Sequence, residues 1–82
     1  MEIPYYDNPS GQLSVRVELQ HTADVYLLDQ SNFNAKQAGR DFRYFGGNYS
    51  QTPVNITVTG AGRWYLIVDN GSGESYKYQW IK

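Results

Sequence analysis

Leu13-Ser14-Val15-Arg16-Val17-Glu18-Leu19-Gln20 alternates apolar and polar residues without an error. A strand turns successive side chains to opposite faces, so this pattern describes one buried face and one wet face. Asn8-Pro9-Ser10-Gly11, directly before it, is turn sequence. Pro53-Val54-Asn55-Ile56-Thr57-Val58-Thr59 repeats the alternation, with proline at the first position, where a missing N–H does least harm. Two other stretches are apolar on both faces: Asp24-Val25-Tyr26-Leu27-Leu28-Asp29 and Arg63-Trp64-Tyr65-Leu66-Ile67-Val68-Asp69. Strands covered on both sides read this way. Gly60-Ala61-Gly62 makes a tight connection, and Asn70-Gly71-Ser72-Gly73 is a hairpin signal leading into a strand over 75–81. In that last strand Tyr76, Tyr78 and Trp80 share one face.

The middle of the chain breaks the pattern. Ser31 to Gly39 lacks alternation and carries helix punctuation. Ser31 or Asn32 is expected to cap one short helical turn near residues 31–38, and Gly39 to end it in the left-handed conformation. Arg40 to Phe45 reads as the remaining strand, stopped by Gly46-Gly47-Asn48. Six strands, with turns about every 8–12 residues, predict an all-β chain folded as a small antiparallel, jelly-roll-like β-sandwich. We expect a single domain over residues 1–82. Its inner set comprises Leu13, Val15, Val17, Leu19, Val25, Leu27, Phe42, Val54, Ile56, Val58, Trp64, Leu66, Val68, Tyr78 and Trp80.

Composition narrows the function. The 82 residues include no cysteine and one histidine, so neither a disulfide framework nor a thiolate metal site is available. Eight Tyr, three Phe and two Trp supply the packing instead. Seven basic residues against eight acidic ones leave a net charge of −1, with no cationic field to draw in duplex nucleic acid or a membrane surface. No apolar run approaches the ~20 residues of a membrane-spanning helix, and no charged-then-apolar leader opens the chain. The expected setting is cytoplasmic.

Three motifs carry a resemblance. Ala23-Asp24-Val25-Tyr26-Leu27-Leu28-Asp29-Gln30-Ser31-Asn32-Phe33, then Gly39-Arg40-Asp41-Phe42-Arg43-Tyr44-Phe45-Gly46-Gly47, then Gly62-Arg63-Trp64-Tyr65-Leu66-Ile67-Val68-Asp69 resemble a small bacterial family known as a domain of unknown function. Members of that family are sometimes attached to TIR domains of immune type. The resemblance runs from about Leu13 to Ile81. It implies an all-β sandwich and a TIR-type effector as partner, and it carries over no catalytic residue. More loosely, the strands are similar to jelly-roll accessory modules, which are usually binding modules.

Catalytic chemistry finds little to work with. Only His21 could act as a histidine base, and it sits at a turn without a neighbouring serine motif. Asp24, Asp29 and Asp69 stand at strand ends, where a carboxylate ordinarily accepts local backbone N–H groups. Asp29 to Asn34 faintly resembles a calcium loop, but Phe33 stands at a ligand position. No enzyme activity, cofactor or metal is expected.

The segment richest in recognition chemistry is Gly39 to Tyr49. Arg40 and Arg43 offer planar donors for phosphate or carboxylate. Tyr44, Phe45 and Tyr49 offer faces for a base to stack upon. Gly46, Gly47 and Asn48 would let backbone approach a ligand and form an anion nest. Asn32 and Phe33 would complete a pocket wall, and Arg63 is a further cationic candidate whose plain role is stacking on Tyr or Trp. If 40–45 is a strand, Arg40 and Arg43 have opposite parity and point to opposite faces. The expected function is therefore a non-enzymatic binding module for a small anionic, nucleotide-derived ligand, which sequesters or senses a signal. The alternative is a protein-interaction or self-assembly module. A homodimer or higher oligomer is compatible with either, since a pocket on a two-fold seam doubles the arginines.

Overall fold

The computed structural model describes residues 3–69 and 76–82. Among them, in chain order, are β1 (Tyr5–Asn8), β2 (Gln12–Glu18), β3 (Ala23–Asp29), α1 (Gln30–Gln37), β4 (Phe45–Tyr49), β5 (Val54–Thr59), β6 (Gly62–Asp69) and β7 (Lys77–Ile81). They form two antiparallel sheets, β1-β6-β3-β4 and β5-β2-β7. The expected sandwich forms, with β1 added to the six strands legible in the sequence. Three pairings are nested: β3 with β4, β2 with β5, and β1 with β6. That is the winding of a jelly roll, one long hairpin bent over two sheets. The β3–β6 and β2–β7 pairings complete the layers.

Alternation decides which side faces in. Leu13, Val15 and Val17 of β2 lie opposite Val58, Ile56 and Val54 of β5, and all six are buried. Ala23, Val25, Leu27, Trp64 and Leu66 meet them from the other sheet to close the core. Leu19, Val68, Trp80, Tyr6, Tyr49 and Tyr76 pack around its margin. Two residues expected inside are not. Tyr78 faces inward beside Val17, but β7 is a sheet edge and leaves the ring 45% exposed. Phe42 lies outside any strand, half-buried, with its ring 6.1 Å from that of Tyr44.

Leu28 shows how β3 comes to be covered twice. It has the opposite parity to Val25 and Leu27, so it points away from the sandwich interior, yet it is fully buried. The helix supplies the cover by packing across β3 and β6. Phe33 stacks on Tyr65 at 3.8 Å between centroids, and the Tyr65 hydroxyl lies 3.0 Å from Gln30 Oε1, to which it donates.

The helix cap differs from expectation. Asp29, not Ser31 or Asn32, is the N-cap; its carboxylate accepts from Asn32 N at 2.8 Å and from Asn32 Nδ2 at 2.9 Å. An N-cap needs extended backbone just before the first turn. The last residue of β3 has that geometry already (φ −76°, ψ 175°). The other end follows the sequence: Gly39 adopts φ +73°. Gly39 N donates to Lys36 O at 3.2 Å and Arg40 N to Ala35 O at 2.9 Å, the two bonds of a Schellman ending.

The strand expected over Arg40–Phe45 forms instead at Phe45–Tyr49, and residues 41–44 are irregular. Gly46 and Gly47 do not stop it; they lie within the ladder opposite Tyr26 and Val25. The reason is contact. A Cβ on Gly46 would run into the Val25 carbonyl oxygen and lie 2.7 Å from Tyr26 Cα, and its φ is +148°. Glycine reads as a breaker in sequence, yet here it admits the neighbouring backbone. The hairpin signal at Asn70–Gly73 lies outside the described residues. The strands on either side of it, β6 and β7, belong to different sheets.

Candidate functional site

The structure divides the expected Arg40–Tyr49 site between a loop and two faces of β4. Arg40, Asp41, Arg43 and Tyr44 are exposed on the loop that joins α1 to β4. Its backbone is tied down at both arginines. Arg40 N is bonded to Ala35 O in the helix ending, and Arg43 N donates to Asn32 Oδ1 at 2.8 Å. Asn32 thus acts as a brace rather than a pocket wall, since its amide nitrogen is also bonded to Asp29. Because Arg40 and Arg43 sit on a loop, the strand parity that would set them on opposite faces does not apply. Among the described residues neither guanidinium has an ion pair or hydrogen-bond partner.

An aromatic group stands beside them. Tyr44 is 53% exposed, its ring 5.1 Å from that of Tyr26 and 6.1 Å from that of Phe42, both tilted. Tyr26 belongs to the outer face of its sheet, where burial, then the carboxylates of Asp69 and Asp24, raise its phenol above the ordinary 10.0. Asn48 shares that face and donates from Nδ2 to Asp24 Oδ1 at 3.0 Å. In sequence Tyr26 reads as one of an apolar run, Val25 to Leu28. Its parity, opposite to Val25 and Leu27, is the signal that sets it on the outer face.

The other candidates do not join this group. Phe45 and Tyr49 lie opposite Leu27 and Ala23, on the interior side. Phe45 meets Trp64 edge-on at 5.9 Å, and Tyr49 packs at the core margin. Gly46 and Gly47 lie in the ladder, opposite Tyr26 and Val25, on the edge strand of the sheet. Phe33 is committed to Tyr65. Arg63 lies toward β1, where Nε donates to Asp7 Oδ1 at 2.8 Å and the guanidinium carbon sits 4.1 Å from the Tyr5 ring centroid. That contact is the stacking role expected of it. Hydrogen bonding to Asp7 raises the Arg63 pKa further, and the same bond lowers that of Asp7.

Of the strand-end carboxylates, Asp24 accepts from Asn48 across the β3–β4 pair and Asp29 accepts locally from Asn32. Asp29 caps the helix, so 29–34 does not form a calcium loop. Among the described residues no three His, Cys, Asp or Glu side chains gather in one place. No helix of the described residues is long and apolar enough to cross a membrane.

A family model described as a domain of unknown function, DUF1883, matches residues 9–79. The chain belongs to the DUF1883 family. The match begins at the turn before β2 and ends within β7, so it takes in the helix, the arginine loop and Tyr26 but leaves β1 outside. In this DUF1883 chain the Tyr5 and Asp7 contacts of Arg63 therefore lie beyond the matched region. Comparison with characterised proteins and with solved structures finds no match.

Proposed function

We propose that this DUF1883 domain is a non-enzymatic binding module for a small anionic, nucleotide-derived ligand, held at the α1–β4 loop. One observation carries the reading: Arg40 and Arg43 project guanidinia with no partner among the described residues, from a loop whose backbone is bonded to the helix at both positions. Fixed backbone lowers the ordering cost of binding, and guanidinium is the side chain suited to bidentate phosphate contacts. Tyr44, exposed over Tyr26, supplies a face for a base. The bacterial, TIR-associated setting implied by the resemblance completes the proposal. In the cytoplasm such a module would sequester a nucleotide signal or report it to a TIR-type effector.

The test is a thermal-shift panel of linear, cyclic and ADP-ribose-type nucleotides. Ligand at a hundred times Kd adds about 2.7 kcal/mol. At roughly 4–8 °C per kcal/mol, a true ligand raises the midpoint by about 11–22 °C. Arg43→Ala should erase that shift while leaving the unliganded midpoint unchanged, since its guanidinium has no described partner to lose. A flat panel overturns the proposal in favour of a protein-interaction module.

A further inference from the structure

The opposite side of the sandwich poses a separate question, independent of the ligand. β7 is the last strand of its sheet: β2 pairs with one side of it, and no described strand pairs with the other. An edge strand presents unpaired N–H and C=O groups. Apolar surface is open here too. Tyr78 and Ile81 are 45% and 43% exposed. Tyr76 and Tyr78, with Ile3, Pro4 and Tyr5, line an open groove of about 690 Å³.

We propose that β7 pairs antiparallel with β7 of a second copy, about a two-fold axis at Gln79, joining two three-stranded sheets into one. The sequence of the strand is self-complementary in that register. Gln79 is the midpoint of Lys77–Ile81, so only this centring uses all five residues. It sets Tyr78 opposite Trp80 of the other copy, twice, on the interior face where both rings already lie beside Val17 and Val15. Aromatic pairs across strands are favourable, and like charges facing one another are not. Lys77 falls opposite Ile81 of the other copy and keeps Glu18 as its neighbour within its own sheet. A lysine on an edge strand usually prevents pairing by repulsion. Here it meets no positive charge. The Tyr-lined groove borders the seam, so association covers apolar surface that one copy leaves wet. Contact through one strand is small, and small interfaces give weak, concentration-dependent dimers.

The absence of cysteine from the sequence makes the register directly testable. Paired residues across an antiparallel ladder have Cα atoms about 4.5–5.5 Å apart, within reach of a disulfide. Gln79→Cys, at an exposed position, should oxidise rapidly to a covalent dimer. Lys77→Cys should not, because its two copies lie roughly 13 Å apart along the strand; it should cross-link no faster than Asn34→Cys on the helix. Circular-dichroism melts verify that each variant folds as the parent does. Sedimentation of the unmodified chain from micromolar to millimolar concentration should show a monomer–dimer equilibrium. Monomer throughout, or equal cross-linking at 77 and 79, overturns the proposal.

Discussion

Replacing Gly46 by alanine would place a methyl group against the Val25 carbonyl and 2.7 Å from Tyr26 Cα, both of them backbone atoms that cannot swing aside. The only relief is for β4 to move off β3. Two costs combine. An L-residue held at φ +148° costs about 1–3 kcal/mol, and overpacking a filled contact costs about 1–3 kcal/mol. Taking about 3 kcal/mol, in the lower half of the combined range of about 2–6 kcal/mol, the melting midpoint falls by roughly 12–24 °C. That is a large share of the about 4–12 kcal/mol expected for a domain of this length. Gly47→Ala is the control, since a Cβ there meets nothing within 4 Å and its φ is not positive. It should melt within a few degrees of the parent, and slightly higher if unfolded-state entropy dominates. Paired melts followed by far-ultraviolet circular dichroism decide the matter. Equal midpoints for the two variants would refute the close approach of β4 to β3.

Three further outcomes follow from contacts already described. Asp29→Ala removes the helix cap and the anchor of Asn32, and should cost about 1–2 kcal/mol by urea denaturation, with faster amide exchange at Arg43. Leu28→Ala should cost about 2–5 kcal/mol, as much as an interior leucine, although Leu28 lies outside the sandwich core; a cost below that range would mean that α1 does not cover it. The Asp7 carboxyl should titrate below its ordinary 3.8 because of the hydrogen bond from Arg63. A depressed carboxyl stabilises above its unfolded value and loses that contribution as pH falls through the folded one, so the window is acidic, below about pH 4. Carboxyl NMR titration of Arg63→Gln should move Asp7 back up, and an unmoved midpoint would sink the assignment.

The parts of the fold legible in the sequence are those with a single buried face. β2 and β5 alternate because one side meets the core and the other meets water, and such a pattern fixes both element and register. β3 reads correctly as covered twice, although the sequence does not say that α1 is the second cover. β1 was missed. It has four residues, two of them the strand-averse Asp7 and Asn8, and its place depends on a partner 56 residues away. β4 reads too early in the sequence, because a glycine pair signals a stop unless the neighbouring backbone needs the room. At the candidate site, residue types were legible but their grouping was not. The sequence sets Arg40, Arg43 and Tyr44 in one segment with Phe45 and Tyr49, and only the pairing of β4 with β3 turns the last two to the sheet's other face, where Phe45 stays 53% exposed at the open edge and Tyr49 packs at the core margin.

The nested winding sets the order in which the chain can acquire its shape. β1 and β2 are synthesised first, yet their pairing partners are β6, β5 and β7, all in the second half of the sequence. Only the β3–β4 hairpin can close early, across the helix that separates its strands. Long-range pairing of this kind places folding in the millisecond-to-second range. Until residue 54 has left the ribosome, Leu13, Val15 and Val17 have no native strand to cover them. A nascent chain of this domain therefore carries a sticky, unpaired β2 for most of its synthesis, and holding chaperones should engage it there.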